Sequence, residues 1–322
     1  VAYVQVITTG GTIASLPNEK GDVSASLSGD ALVEKLGVEG NIKVTSSVTT
    51  GSYNFDYSTL FQVAQDVIEA LENPEVTGVV LTHGTDTMEE TAFYLSLVTS
   101  SYQKPVVLTG AQLDASYAFS DGTKNLQDAI YAAQSEKLST FGALIVFAGF
   151  IYSARDVSKI DTNALEAFGA SGWGPIGRVD NKKIIASRYM NPAINLEAVI
   201  PKPVALVRLG IGMNGTEFEQ ITDGYPGVVI EAFGRGNAHR SITPEVNRLV
   251  DAGIPVMITS RCARGEVLPY YGNGGGKDLV RAGAWFAGDL SGEKARILLG
   301  TMLSSGKSWG DMKQMVHEVG HA

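Results

Sequence analysis

Cysteine is almost absent from this chain, with Cys262 standing alone among 322 residues. No internal disulfide framework can form from it, and the redox compartment stays open. A lone thiol of this kind is expected to be a small buried core residue. Positive charge is also in deficit: 25 Lys and Arg against 34 Asp and Glu leave a net charge of −9. That balance excludes nucleic acid as a partner and argues against an anionic membrane surface. No apolar run is long enough to span a bilayer, and no charged-then-apolar leader opens the chain. The chain begins at Val1 rather than methionine, so a periplasmic, secreted or cytoplasmic soluble protein fits equally well. What remains, 44% hydrophobic and 18% charged residues, describes an ordinary soluble globule with a sizeable core.

The length favours two domains, given roughly 100–200 residues per domain. Strand and helix signals alternate through the first part. Strands are expected at Val4–Thr8, Lys43–Val48, Gly78–Thr82, Pro105–Thr109 and Ala143–Phe147, with helices at Gly29–Leu36, Tyr57–Leu71, Met88–Ser96 and Lys124–Gln134. In the second helix Leu60, Val63, Ala64, Val67, Ile68 and Leu71 repeat with a period of about 3.6. This order implies an α/β fold with a mainly parallel sheet covered on both faces. Pro192, Pro201 and Pro203 mark a linker over 191–203, between an amino-terminal domain, 1–190, and a smaller α/β domain, 204–322. In the latter, strands are expected at Val204–Leu209, Val228–Ala232, Pro255–Thr259 and Ala284–Phe286. Helices are expected at Thr243–Ala252, capped by Thr243-Pro244-Glu245, and at Glu293–Ser304 and Trp309–Glu318. The run Gly272–Gly276 reads as a mobile loop.

Two glycine-flanked threonines are the most informative feature. Thr9-Gly10-Gly11-Thr12-Ile13-Ala14 follows the first strand, and His83-Gly84-Thr85-Asp86-Thr87-Met88-Glu89-Glu90 follows the third. Ligands on open parallel sheets bind beyond the carboxyl ends of the strands, so both threonines are expected to face one crevice. A hydroxyl pair beside an aspartate suits acyl transfer better than redox or phosphate chemistry. Competing motifs fail on inspection. Gly10, Gly11 and Gly21 do not fit G-x-G-x-x-G, and Gly276-Lys277-Asp278 lacks the upstream glycine and the hydroxyl of a P-loop. His317-Glu318-Val319-Gly320-His321 matches H-E-x-x-H, but a chain end carrying Gly320 is expected to fray. We expect no metal site there. His83 and His239 are isolated, with polar contacts beside loops as their expected role. Taken alone, Thr85-Asp86-Thr87 reads as a helix cap ahead of Glu89-Glu90. The repeat of strand–Gly–Thr at Thr12, and the charged cluster Arg155-Asp156-Val157-Ser158-Lys159, shift the balance towards chemistry.

At this point the segments containing Thr12 and Thr85 resemble the two signatures of the bacterial-type L-asparaginases, including the glutaminase-asparaginases. The likeness extends to Lys104-Pro105-Val106-Val107 with Gly110-Ala111, Asp121-Gly122 with Asn125-Leu126, Arg155-Asp156-Val157 with Lys159, and Lys294-Ala295-Arg296. It implies a large amino-terminal and a smaller carboxyl-terminal α/β domain, assembled as a homotetramer with sites near subunit interfaces. It also implies a small-molecule substrate, L-asparagine and to some extent L-glutamine, with no cofactor. By motif, Thr12 is then the nucleophile, with Thr85, Asp86 and Lys159 as the second catalytic group. Gly51 and Ser52 would meet the substrate carboxylate, Asp86 its amino group and the Ala111 backbone its amide. The oxyanion needs N–H donors, from the Gly10-Gly11 turn or Ala111.

The resemblance has two gaps. The family's loop after the first threonine carries a tyrosine, whereas Ser15 to Ser28 holds no aromatic residue. The acid that reaches a neighbour's site has no clear equivalent in the glycine-rich Tyr271–Lys277. Ser15 to Ser28 is expected to act as a flexible lid, with Tyr270, Tyr271 or Asn237 assisting, Asn237 from a neighbouring subunit. Two other readings stay open: a glutaminase-dominant amidase, and a non-catalytic amino-acid-binding protein.

Overall fold

The computed structural model describes residues 1–17, 23–25, 41–187 and 194–320. The expected helix Gly29–Leu36 lies outside them. The chain divides into two compact units, Val1–Ala198 and Val199–Ala322.

In the first unit β1 (Tyr3–Gly10), β4 (Ile42–Thr50), β5 (Val76–Thr82), β6 (Val106–Thr109) and β7 (Ala143–Phe147) form the parallel part of an eight-stranded sheet. Every residue of β1, β6 and β7 is buried, as strands covered on both faces require. The remaining strands, β8 (Phe150–Ser153), β11 (Gly177–Asp180) and β12 (Lys183–Ala186), extend the sheet antiparallel, while β9 (Ser158–Lys159) and β10 (Phe168–Gly169) pair only with each other. Sequence patterning gave no sign of β8, β11 and β12, because they are four-residue pieces, and tight turns join β7 to β8 and β11 to β12. One such turn uses Ala148 and Gly149, at φ 50 and 81°.

The spatial order β4-β1-β5-β6-β7 is what places the site. From β1 the chain goes to β4 on one side, then crosses back over β1 to β5 on the other. Connections diverge at the β1/β5 pair, and such a switch point opens a crevice at the strands' carboxyl ends. Helices cover the sheet: Tyr57–Glu72 packs on β1, β4 and β5, and Gly122–Ala133 packs on β5, β6 and β7. The first starts where Asp56 accepts a 2.7 Å bond from the Thr59 amide, a side-chain cap that anchors the helix. The arms of the segment after Thr12 pair as a short antiparallel hairpin, β2 (Ser15–Pro17) with β3 (Val23–Ala25). Residues 18–22 and 26–28 of the expected lid lie outside the described residues.

The second unit holds four parallel strands in sequence order, β13 (Ala205–Arg208), β14 (Val228–Ala232), β15 (Val256–Ser260) and β16 (Trp285–Phe286). Four expectations are corrected here. Cys262 is exposed, because it sits in the loop just past β15 rather than on the strand. The glycine run Gly272–Gly276 is a loop only in its first part. Gly274 to Gly276 are buried, Gly274 N–H donates to Asp278 at 2.7 Å, and a helix runs Gly276–Arg281. Thr243 does not cap its helix, which starts at Ile242 without a side-chain cap bond. The chain end does not fray at Gly320: the last helix, Trp309–Gly320, tucks that glycine against Ala287, and the Asp289 amide donates to its carbonyl. His317 lies on this helix and His321 lies outside the described residues. Besides Gly276–Arg281, the helix Gly215–Thr222 escaped patterning; there Asn214 accepts from the Glu217 amide. Asn followed three residues later by Glu was the available signal. Among the described residues no helix is long and apolar enough to cross a membrane.

Candidate active site

Three loops leave the carboxyl ends of β1, β4 and β5, and glycine lets them stack without a gap. Gly10 and Gly11 turn the chain after β1 at φ 94 and 81°. A Cβ on Gly11 would sit 2.5 Å from the Gly84 nitrogen, and one on Gly84 would sit 2.6 Å from Ser52 Oγ. The Gly11, Gly84 and Ser52 backbones therefore lie in contact, which only residues without side chains allow at the first two positions. Thr9 Oγ1 ties the first loop to the third by donating to the Thr82 carbonyl at 2.9 Å. Thr12 opens a single 3-10 turn, Thr12–Ala14, so its hydroxyl is presented on a rigid bend.

These loops wall a cleft of about 490 Å³, within the usual range for small-molecule sites. Thr12, Thr85, Asp86 and Lys159 all line it, together with Gly51, Ser52 and Gln112. Lys159 Nζ donates to Thr85 Oγ1 at 2.9 Å and pairs with Asp86 Oδ1 at 2.8 Å. Thr85 in turn donates to Gln112 Oε1 at 3.2 Å. The lysine is 18% exposed and its aspartate 54%, so this is no solvated surface lysine. Its backbone is held by the Glu89 carboxylate, which accepts from the Lys159 amide. Capping does not explain Thr85-Asp86-Thr87: the helix Met88–Val98 has no side-chain cap bond, and Thr87 donates instead to the Ser52 carbonyl at 2.9 Å.

Among the described residues no hydrogen bond is made by the Thr12 hydroxyl. Among the described residues Ser52 Oγ is buried and has no hydrogen-bond partner. An orphaned buried hydroxyl is unfavourable by about 1–3 kcal/mol unless something completes it, and this one lines the cleft. Ala111 is buried in the core. Its neighbour Gln112 reaches the cleft because Asp121 accepts from the Gln112 and Leu113 amides at 2.9–3.1 Å. Asn125 reinforces the bend, donating to Gly110 O and accepting from the Ala148 amide, both at 3.0 Å. Gln112 and Tyr53, which also lines the cleft, were not singled out from sequence. Each directly follows a residue that was, Ala111 and Ser52.

Asn237, Tyr270 and Tyr271 belong to the second unit. Asn237 accepts from the Gly276 amide at 3.2 Å. The two tyrosines are exposed and meet edge to face, with ring centroids 5.1 Å apart. His239 bonds Ser241 at 2.8 Å.

His83 makes the expected polar contact beside a loop, and it is fully buried. Its Nδ1 donates to Gly84 O at 2.7 Å, and Nε2 accepts from Thr91 Oγ1 at 2.9 Å, the arrangement of a neutral ring. Burial pushes its pKa down from 6.5 to about 4. The unfolded state therefore binds the extra proton between those values while the folded state does not. Stability from this group is present above about pH 6.5 and is lost as pH falls towards 4, by about 3 kcal/mol in total. Burial raises Asp128 and Glu231 above the usual carboxylate range, and they act in the opposite sense. The check is therefore a comparison with His83→Gln by urea unfolding at about pH 7.5 and about pH 4.5. The parent should lose more stability than the variant across that interval, and equal losses would remove the assignment.

A polar cleft at the switch point of a parallel sheet thus brings Thr12 and a Lys–Thr–Asp group together. The comparisons with known proteins give the family. Residues 3–191 match the family model described as asparaginase, N-terminal, and residues 203–316 match the glutaminase/asparaginase C-terminal domain. The chain belongs to the asparaginase and glutaminase-asparaginase family. It is 36% identical over 318 residues to a probable L-asparaginase of Deinococcus radiodurans, covering 96% of this chain and 95% of that one. With the L-asparaginase of Bacillus licheniformis it shares 31% over 311 residues, covering 94% and 96%. With the glutaminase-asparaginase of Acinetobacter glutaminasificans it shares 29% over 330 residues, covering 97% and 98%.

Proposed function

We propose that the protein hydrolyses L-asparagine to L-aspartate and ammonia through an acyl-enzyme on Thr12, with L-glutamine as a second substrate. The observation that carries this reading is the single cleft holding Thr12, the Lys159–Thr85–Asp86 group and the orphaned Ser52 hydroxyl. Ser52 completes its hydrogen bonding on the substrate carboxylate, and Asp86 faces the substrate ammonium. Thr12 Oγ attacks the side-chain amide carbon, the C–N bond breaks, and ammonia leaves with the hydroxyl proton. Water then attacks the ester and restores Thr12. A threonine hydroxyl is a weak nucleophile without a base, and Lys159 acting through Thr85 is the proton carrier in this scheme. Backbone N–H groups of the Gly10-Gly11 turn or of Ala111 hold the oxyanion. Ammonia release from L-asparagine and from L-glutamine, measured side by side, tests the proposal. A larger kcat/KM for glutamine would make it a glutaminase first, and ligand binding without ammonia would make it a binding protein.

The assembly proposed with this function is a homotetramer, in which the Asn237 region of one subunit completes a neighbour's site. Light scattering at assay concentration should give four times the chain mass of 34.1 kDa. A fully active monomer would rule the assembly out.

A further inference from the structure

Lys159 reaches the cleft from a very small element. It ends β9, a two-residue strand that pairs with β10 and stands apart from the eight-stranded sheet. An isolated two-stranded ladder is marginal in water, so a lysine on one is not fixed by its own strand. The ladder side of this segment is taken up locally, with the Ile160 amide donating to Ala167 O at 2.8 Å. The Lys159 amide goes instead to the Glu89 carboxylate. Outside the ladder, every hydrogen bond of Lys159 among the described residues therefore runs to one stretch of chain. Its ammonium meets Thr85 and Asp86, and its amide meets Glu89, three residues past Asp86. That stretch is firm. Glu89 lies in the first turn of the helix Met88–Val98, where Met88 and all of Thr91–Val98 are buried. A carboxylate in that turn is also favoured by the helix dipole.

We infer that Glu89 is a positioning residue: by holding the Lys159 backbone to the segment that carries Thr85 and Asp86, it sets where the ammonium stands. This rests on the reading of Lys159 and Thr85 as the proton-carrying pair. Glu89 does not line the cleft, and it acts through Lys159. What it supplies is an acceptor at the right reach rather than a charge. With the backbone and the ammonium of one residue tied to the same short stretch, slack at the first becomes displacement at the second. Turnover depends steeply on such displacements.

Two variants of the full-length protein separate reach from charge. Glu89→Gln keeps the length and a carbonyl acceptor while losing the charge. Glu89→Asp keeps the charge but draws the acceptor back by one C–C bond, about 1.5 Å. With L-asparagine, Glu89→Asp should lower kcat at least about tenfold with KM within about threefold, whereas Glu89→Gln should stay within about threefold of the parent in both. Urea unfolding of each variant checks the fold. A second readout does not depend on turnover: reductive methylation of the folded protein, with Lys159 followed by mass spectrometry. Slack at the strand opens the ammonium to the reagent, so Lys159 should be labelled at least about threefold faster in Glu89→Asp and at the parent rate in Glu89→Gln. A parent-like kcat or unchanged Lys159 labelling in Glu89→Asp overturns the inference. So does a larger loss of kcat in Glu89→Gln than in Glu89→Asp, which would make the charge the operative property. If the parent releases no ammonia from any amide, the proposed reaction fails separately, and the labelling alone decides whether Glu89 places the lysine.

Discussion

Thr12→Ala is expected to lower kcat by about a thousandfold or more, because without the hydroxyl no acyl-enzyme can form. Stability should scarcely change, by about 0.5 kcal/mol or less, since that hydroxyl makes no hydrogen bond among the described residues. Thr85→Ala should be as damaging to turnover by a different route. It breaks the chain from Lys159 through Thr85 to Gln112, leaving Lys159 with Asp86 alone. Here stability should also fall, by about 1–2 kcal/mol, as two partly buried partners lose a bond. Steady-state ammonia release and urea unfolding on the same preparations separate the two effects. Near-parent turnover in either variant removes that residue from the proposed reaction.

How much of this was legible in the sequence depended on whether a residue's surroundings were local. The parallel strands and the helix Tyr57–Glu72 announce themselves through periodicity, and Met88–Val98 by following its strand and turn directly. The two Gly–Thr segments were visible because each follows a buried strand directly. Distances in chain number hid the rest. Gln112 lines the cleft because Asp121 and Asn125 bend the chain beneath it, and Tyr53 lines it with its ring folded back over Gly51. Glycine composition misled at Gly274–Gly276, since those three glycines are buried in close packing. The Gly274 position, for example, lies 2.8 Å from the Arg240 backbone by where its Cβ would fall. Burial of Cys262 was inferred from residue type, and a two-residue offset past β15 was enough to defeat it.

The other large effect is expected from Gly11→Ala, and a second glycine supplies its control. Gly11 and Gly149 share a φ of 81°, but a Cβ on Gly149 meets nothing within 4 Å while one on Gly11 meets Gly84 N at 2.5 Å. Alanine at Gly149 therefore pays only for a left-handed backbone, about 1–2 kcal/mol. At Gly11 the obstacle is backbone, which cannot rotate aside as a side chain can. The β1 and β5 loops must separate, costing at least about 3 kcal/mol in all. Separation also carries Thr12 away from Thr85, and a displacement of about 1 Å at a reacting group is worth about a hundredfold in rate. Gly11→Ala should thus be both unstable and nearly inactive, whereas Gly149→Ala should keep its turnover. If both variants lose the same stability in urea and Gly11→Ala still releases ammonia at the parent rate, the backbone contact is not what holds the two threonines in place.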